Sequence, residues 1–152
     1  MEFSFGAYLG LMNIGACEFH QALQKGRRQA FFYQILRRPC FLTPFEAVKT
    51  RQNLVARLEN GCQEIRLDQI KGSVGKPEFF TRSLWPLYSG LEKRWVSVYE
   101  LIMGPQGYPP IEVYKVNHRY FILDGHHRAS VARAMANRTI EAYVIEWLVL
   151  ST

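Results

Sequence analysis

Tyr120-Phe-Ile-Leu-Asp124-Gly125-His126-His127-Arg128-Ala-Ser-Val-Ala-Arg133-Ala-Met-Ala136 is the stretch that decides the reading of this chain. Tyr120 to Leu123 is apolar and rich in β-formers, and it stops at an Asp-Gly turn signal. An Ala-rich, helix-forming run follows at once. The pattern predicts a strand, a tight turn at Gly125, and a helix whose first turn carries His126, His127 and Arg128. The opening N–H groups of a helix lack intrahelical partners and lie at the positive end of its dipole. Glycine there lets a ligand approach the backbone, and Arg128 adds a two-pronged donor. Such a junction suits a phosphate or another anion. Without a ligand, the same pattern is an ordinary chain turn with two solvated histidines. The density of polar chemistry in Asp124–Arg128 favours a site.

Along the predicted helix, His126, Ser130, Arg133 and Asn137 recur at helical spacing and share a face, while Val131, Ala132 and Met135 should pack on a sheet. Gly125, His126, His127 and Arg128 would then cradle phosphates, with Ser130 assisting. Loss of the Arg128 fork should weaken nucleotide binding by about 1.5–3 kcal/mol. Neighbouring helical residues point about 100° apart, so His126 and His127 are poorly placed to share one ion. The His-x-x-x-His spacing is also absent, and no metal-ligand set is assigned. Mg²⁺ carried in with a nucleotide and touched by Asp124 fits better, because hard cations prefer oxygen.

The run DGHHR followed by an Ala-rich helix resembles the signature of the ParB/sulfiredoxin superfamily, whose members hold nucleotide phosphates with a Gly-x-x-Arg element at a strand-to-helix junction. The resemblance extends over about residues 64–147: Ile65–Ile70 is similar to the first strand, Pro110–Val116 with Tyr120–Asp124 to the central hairpin, and Thr139–Glu146 to the strand after the signature helix. It implies an α+β domain with a small mixed sheet over residues 63–152, and an N-terminal helical extension over residues 1–62 packed on it. Where sulfiredoxins have Gly-Cys-His-Arg, His126 takes the cysteine position, so that thiol chemistry should be absent. Chromosome-partitioning ParB proteins have Gly-Glu-Arg-Arg and continue into a helix-turn-helix region, which is not expected here. Stand-alone archaeal members, including a free-serine kinase, share the spelling Asp-Gly-His-x-Arg. That resemblance implies a role for Asp124 near the metal and the transferred phosphate. Asp124 and His126 are the candidate catalytic residues.

Composition sets bounds around this site. The chain has 152 residues and 48% hydrophobic content, enough for one ordinary domain with a full core. A formal charge of +6 and a pI near 9.4 favour polyanionic partners without naming one. Cys17, Cys40 and Cys62 form no metal-binding pair and should be small buried apolar residues in a reducing setting, which points to the cytoplasm. No apolar run reaches the length of a membrane span. Met1–Cys17 superficially resembles a lipoprotein leader, but no Lys or Arg precedes Lys25, and a packed first helix is the expectation.

Residues 17–38 interleave apolar and basic groups and predict a helix weakened, or split in two, at Gly26. Thr43-Pro-Phe-Glu46 has the form of a capping box, opening a helix that should run to Glu59 and stop at Asn60-Gly61. A strand is expected over 63–70. Lys71-Gly-Ser-Val-Gly-Lys76 lacks the ending of a phosphate loop and reads as a surface turn or a flexible lid. Leu91, Trp95, Val98, Tyr99 and Ile102 recur at helical spacing, as a core stripe does. Asn117-His118 should turn a hairpin.

Three functional classes follow. The first is a nucleotide-binding domain, with phosphoryl transfer or nucleotide hydrolysis left open. The second is a non-enzymatic DNA- or RNA-binding module, favoured by the basic N-terminal helices. The third is a ParB-like nuclease, for which the sequence offers no clear carboxylate cluster.

Overall fold

The computed structural model describes residues 5–75 and 77–151. Among the described residues, four α-helices and six strands make an α+β fold: α1 (Phe5–Ile35), β1 (Thr43–Pro44), α2 (Phe45–Arg51), β2 (Leu54–Arg66), β3 (Ile70–Ser73), α3 (Glu92–Met103), β4 (Ile111–Val116), β5 (Arg119–Asp124), α4 (His126–Ala134) and β6 (Thr139–Val149). The strands join in one mixed sheet of order β1-β3-β5-β4-β6-β2. β3 runs parallel to β1 and β5, and β4 parallel to β6, while the β4–β5 hairpin and the β2–β6 pair are antiparallel. Because β3 and β5 are parallel, Ser73 at the end of one lies opposite Ile122 near the end of the other. Both strands therefore deliver the chain to the same edge. None of the helices, among the described residues, is long and apolar enough to cross a membrane.

Packing is layered, with α4 in the middle. One sheet face, through Ile65, Ile70, Ile111, Val113, Ile122 and Val144, meets Ala129 and Ala132 of α4. Val131, on another side of the same helix, packs with Phe19 and Leu23 of α1 and with Trp95, Val96 and Tyr99 of α3. The opposite sheet face is covered by α2, where Phe45 meets Phe121 and the rings of Tyr114 and Trp147. The stripe on α3 is core, as its periodicity predicts, and the hairpin turns at Asn117, whose φ is +55°.

Several expectations need correction. The helix predicted to run to Glu59 ends at Arg51, and residues 54–66 form β2 on the sheet edge. Leu54 to Arg66 pair with Val149 to Thr139, and a register shift between Glu59 and Gly61 makes Asn60-Gly61 a bulge rather than a helix stop. Pairing along β6 outweighs the weak helical preference of this segment. Thr43 does not cap α2. It pairs with Gly72 in the sheet, and Pro44 occupies the cap without a side-chain hydrogen bond. Position 62/63 thus lies inside β2, and both β1 and the first part of β2 belong to the same sheet as the later strands.

Of the two alternatives at Gly26, a single helix is the one formed: α1 is continuous through it. A Cβ at Gly26 would come within 2.2 Å of the Pro86 carbonyl oxygen, so the glycine lets the helix lie directly on the 85–86 backbone. Cys17 and Cys62 are exposed and Cys40 half-buried, contrary to the expectation that all three pack inside.

Candidate functional site

Gly125 makes the junction that the sequence predicts. Its φ of +106° lies outside the range comfortable for L-residues, and a Cβ there would approach Ile111 Cγ2 to 2.4 Å. Glycine is required by backbone conformation and by close passage over β4. The first helical closure is Ala129 N–H to Gly125 C=O at 3.0 Å. The amides of His126, His127 and Arg128 therefore precede the hydrogen-bonded ladder of α4. These three residues border a cleft of about 440 Å³, lined also by Gly75, Phe79, Phe80, Leu91, Arg94, Val98, Asp124 and Gly125.

Each side chain of DGHHR has its own surroundings. His126 Nε2 lies 2.6 Å from Ser73 Oγ, which also accepts the Gly75 N–H at 3.2 Å. Its ring stacks on Phe80 at 6.1 Å, while that of His127 meets Phe80 edge-on at 5.4 Å. Burial pushes the His126 imidazolium pKa down, opposed by the Asp124 carboxylate. Burial, then the charges of Arg94 and His126, push that of His127 down to about 4. Both rings are neutral at pH 7. His127 Nδ1 is buried without a hydrogen-bond partner among the described residues. Asp124 remains 64% exposed.

The structure brings Asp124, Gly125, His126, His127 and Arg128 to one cleft, but gives Arg128 a different task from the one expected. Its Nη1 donates to the carbonyl oxygens of Pro109 and Pro110, both at 2.8 Å, and its Nη2 donates to Asp124 Oδ2 at 2.7 Å. With only 14% of its side chain exposed, Arg128 ties the Pro109–Pro110 segment to the junction. Ser130 is not in the cleft. It is fully buried, and its Oγ accepts the Trp95 Nε1–H at 2.9 Å. Arg133 and Asn137 line a different groove beyond the end of α4. The face shared by His126, Ser130 and Arg133 is therefore split among three environments.

Arg94 was not legible as a site residue. It extends from α3 into the cleft, exposed and with no carboxylate partner among the described residues. Its position next to Trp95 in an otherwise core-directed stripe gave no separate signal. Ser73 and Gly75 reach the site from the segment read as a turn or lid, through the end of β3. Among the described residues, no cluster of three or more His, Cys, Asp or Glu side chains is arranged to hold a metal ion.

No family model and no curated protein matches the chain. Among solved structures it is similar to the crystal structure of sulfiredoxin from Arabidopsis thaliana, with a TM-score of 0.41 and 18% identity over 55% of this chain and 82% of that one. No site residue is assigned from that likeness.

Proposed function

We propose that the cleft at the N-terminus of α4 binds a nucleotide, in the manner of a ParB/sulfiredoxin-type domain. The observation that carries the reading is the buried His127 Nδ1, unpartnered among the described residues, in a wall formed with the first residues of α4 and with Arg94, which has no carboxylate partner among the described residues. Helix-terminal N–H groups and a guanidinium are complementary to phosphate oxygens. Phe79, Leu91 and Val98 give the same cleft an apolar wall, and its volume is within the range of small-molecule sites. A ligand with an anionic end and a flat apolar end matches this division better than free phosphate does.

Among the described residues of the cleft, Arg94 rather than Arg128 is the cation placed to meet phosphate. Arg128 acts by holding the Pro109–Pro110 segment and by neutralising part of the Asp124 charge. The other Asp124 oxygen is available to a Mg²⁺ ion arriving with the nucleotide, for which a single carboxylate plus phosphate oxygens is a suitable ligand set. His126 Nε2 is engaged by Ser73 and Asp124 Oδ2 by Arg128, so these groups enter as positioning groups.

The test is a thermal-shift panel with Mg²⁺ and ATP, ADP, CTP, GTP or phosphate, on the wild type and on Arg94→Ala. A ligand at a hundred times its dissociation constant adds about 2.7 kcal/mol when it binds only the native state. One nucleotide should stabilise the wild type and lose most of that effect in Arg94→Ala. Absence of any nucleotide response, or an equal response in the variant, would overturn the assignment.

A further inference from the structure

Five cationic side chains line an open groove of about 760 Å³ beyond the C-terminal end of α4: Arg66, Lys71, Arg82, Arg133 and Arg138. Among the described residues, Asp68 is the one carboxylate in the lining, and it is bound by Arg66, whose Nε donates to Oδ1 at 3.0 Å. Lys71, Arg82 and Arg138 have no carboxylate partner among the described residues.

These charges come from separate parts of the chain. Arg66 ends β2, Lys71 is on β3, Arg82 is in the segment after Thr81, Arg133 is in the last turn of α4, and Arg138 precedes β6. The negative end of the α4 dipole accounts for a cation at Arg133 and at Arg138. It does not account for three more arriving from β2, β3 and the 81–86 segment. Convergence of exposed like charges raises their mutual repulsion, which a bound polyanion relieves.

The positive surface also continues past the groove. Arg133 and Lys25 both lie over the ring of Trp85, at 5.0 and 4.9 Å, which joins the groove to the basic side of α1. Arg28, one turn after Lys25, extends the strip. Among the described residues, no buried unpartnered polar atom is in the groove lining, so nothing in it marks an enclosed anion pocket. Five cations from separate elements on one open surface suit an extended polyanion better than a compact anion.

We infer that this groove, with the Lys25–Trp85–Arg133 contact at its border, binds the phosphodiester backbone of a nucleic acid without reading its sequence. The surface is distinct from the nucleotide cleft: α4 has 9 residues, which at about 1.5 Å of rise each separates its two ends by roughly 13 Å. The inference does not depend on the cleft being occupied.

The experiment is fluorescence anisotropy of a labelled mixed-sequence oligonucleotide, single-stranded and duplex, titrated with the full chain at several salt concentrations. It compares the wild type, the triple variant Lys71→Ala/Arg82→Ala/Arg138→Ala, and a charge-matched control, Arg38→Ala/Arg51→Ala/Arg57→Ala. The wild type should bind one or both forms, and the groove variant should weaken that binding at least about tenfold. Its log–log salt slope should fall by about 2–3, the effect of three lost phosphate contacts. The control should stay near wild type. Should the triple variant lose thermal stability, Lys71→Ala alone should still lower the slope by about 1. Absence of oligonucleotide binding, equal losses in variant and control, or an unchanged slope in a folded groove variant would overturn the inference. Binding of phosphatidylserine vesicles, but not oligonucleotide, through these three side chains would also overturn it.

Discussion

Replacing Gly125 by alanine tests whether the strand-to-helix junction is built as described. Two penalties act at that position. An L-residue held at φ +106° is strained by about 1–2 kcal/mol. Its Cβ would also meet Ile111 Cγ2 at 2.4 Å and Ile111 Cβ at 2.8 Å, in a buried layer where overpacking costs about 1–3 kcal/mol. The expected total is about 3 kcal/mol, or a Tm lowered by about 6–12 °C for a chain of this size. Urea denaturation at an unchanged m-value measures the loss directly. Ile111 supplies the internal control. Ile111→Ala removes Cγ2, so its own cost of about 2–5 kcal/mol should overlap with that of Gly125→Ala, and the double variant should fall short of the sum by about 1 kcal/mol. Ile111→Val keeps both clashing atoms and should add to Gly125→Ala without overlap. A loss below about 1 kcal/mol for Gly125→Ala, or strict additivity with Ile111→Ala, would refute the packing argument.

Other outcomes follow from neighbouring contacts. Ser130→Ala leaves the Trp95 N–H without its partner in a fully buried position and should cost about 1–3 kcal/mol, read by chemical denaturation; a neutral result would mean that the hydrogen bond is not formed. Arg128→Ala frees the Pro109 and Pro110 carbonyls and should destabilise the protein by about 1–3 kcal/mol with no nucleotide present, which a purely ligand-binding role would not do. The histidines give a pH dependence of definite sign. His127 has a folded pKa of about 4 against about 6.5 unfolded, so the unfolded state takes up the proton first as pH falls. The stability associated with neutral His127 is present above pH 6.5 and is lost between there and about pH 4. Allowing for partial solvent screening, the loss is about 2 kcal/mol. His127→Gln should flatten that part of the curve, and an equal slope in the variant would assign it elsewhere.

The parts of the fold readable from the chain were those whose signals are local. Tyr120–Asp124 alternates little because it is covered on both faces, and its β-forming run is followed by the glycine that the junction requires. The α3 stripe was readable because Trp95, Val96 and Tyr99 are buried together on one side of a helix. β2 was not, for a physical reason: it is an edge strand exposed over most of its length, so it carries no alternation of apolar and polar residues. Leu54, Val55 and Leu58 then suit a helix as well as a strand, and only pairing with β6 decides. At the site, the motif identified the cleft but not the division of labour within it. Arg128 and Ser130 satisfy partners at Pro109, Pro110 and Trp95, which are distant in sequence, and Arg94 reaches the cleft from another helix.

The central placement of α4 also bears on how the chain can vary. Ala129, Ser130, Val131 and Ala132 are consecutive and all buried, since the helix meets the sheet on one side and α1 and α3 on another. An ordinary surface helix keeps a solvent face on which substitutions accumulate freely. This helix has no such face through its middle turn, and volume is limited in every direction. In a saturation library its middle should tolerate few replacements. The exposed stretch of β2 from Val55 to Cys62 should accept many, so the record of past selection would be concentrated in four small residues rather than in the longest elements.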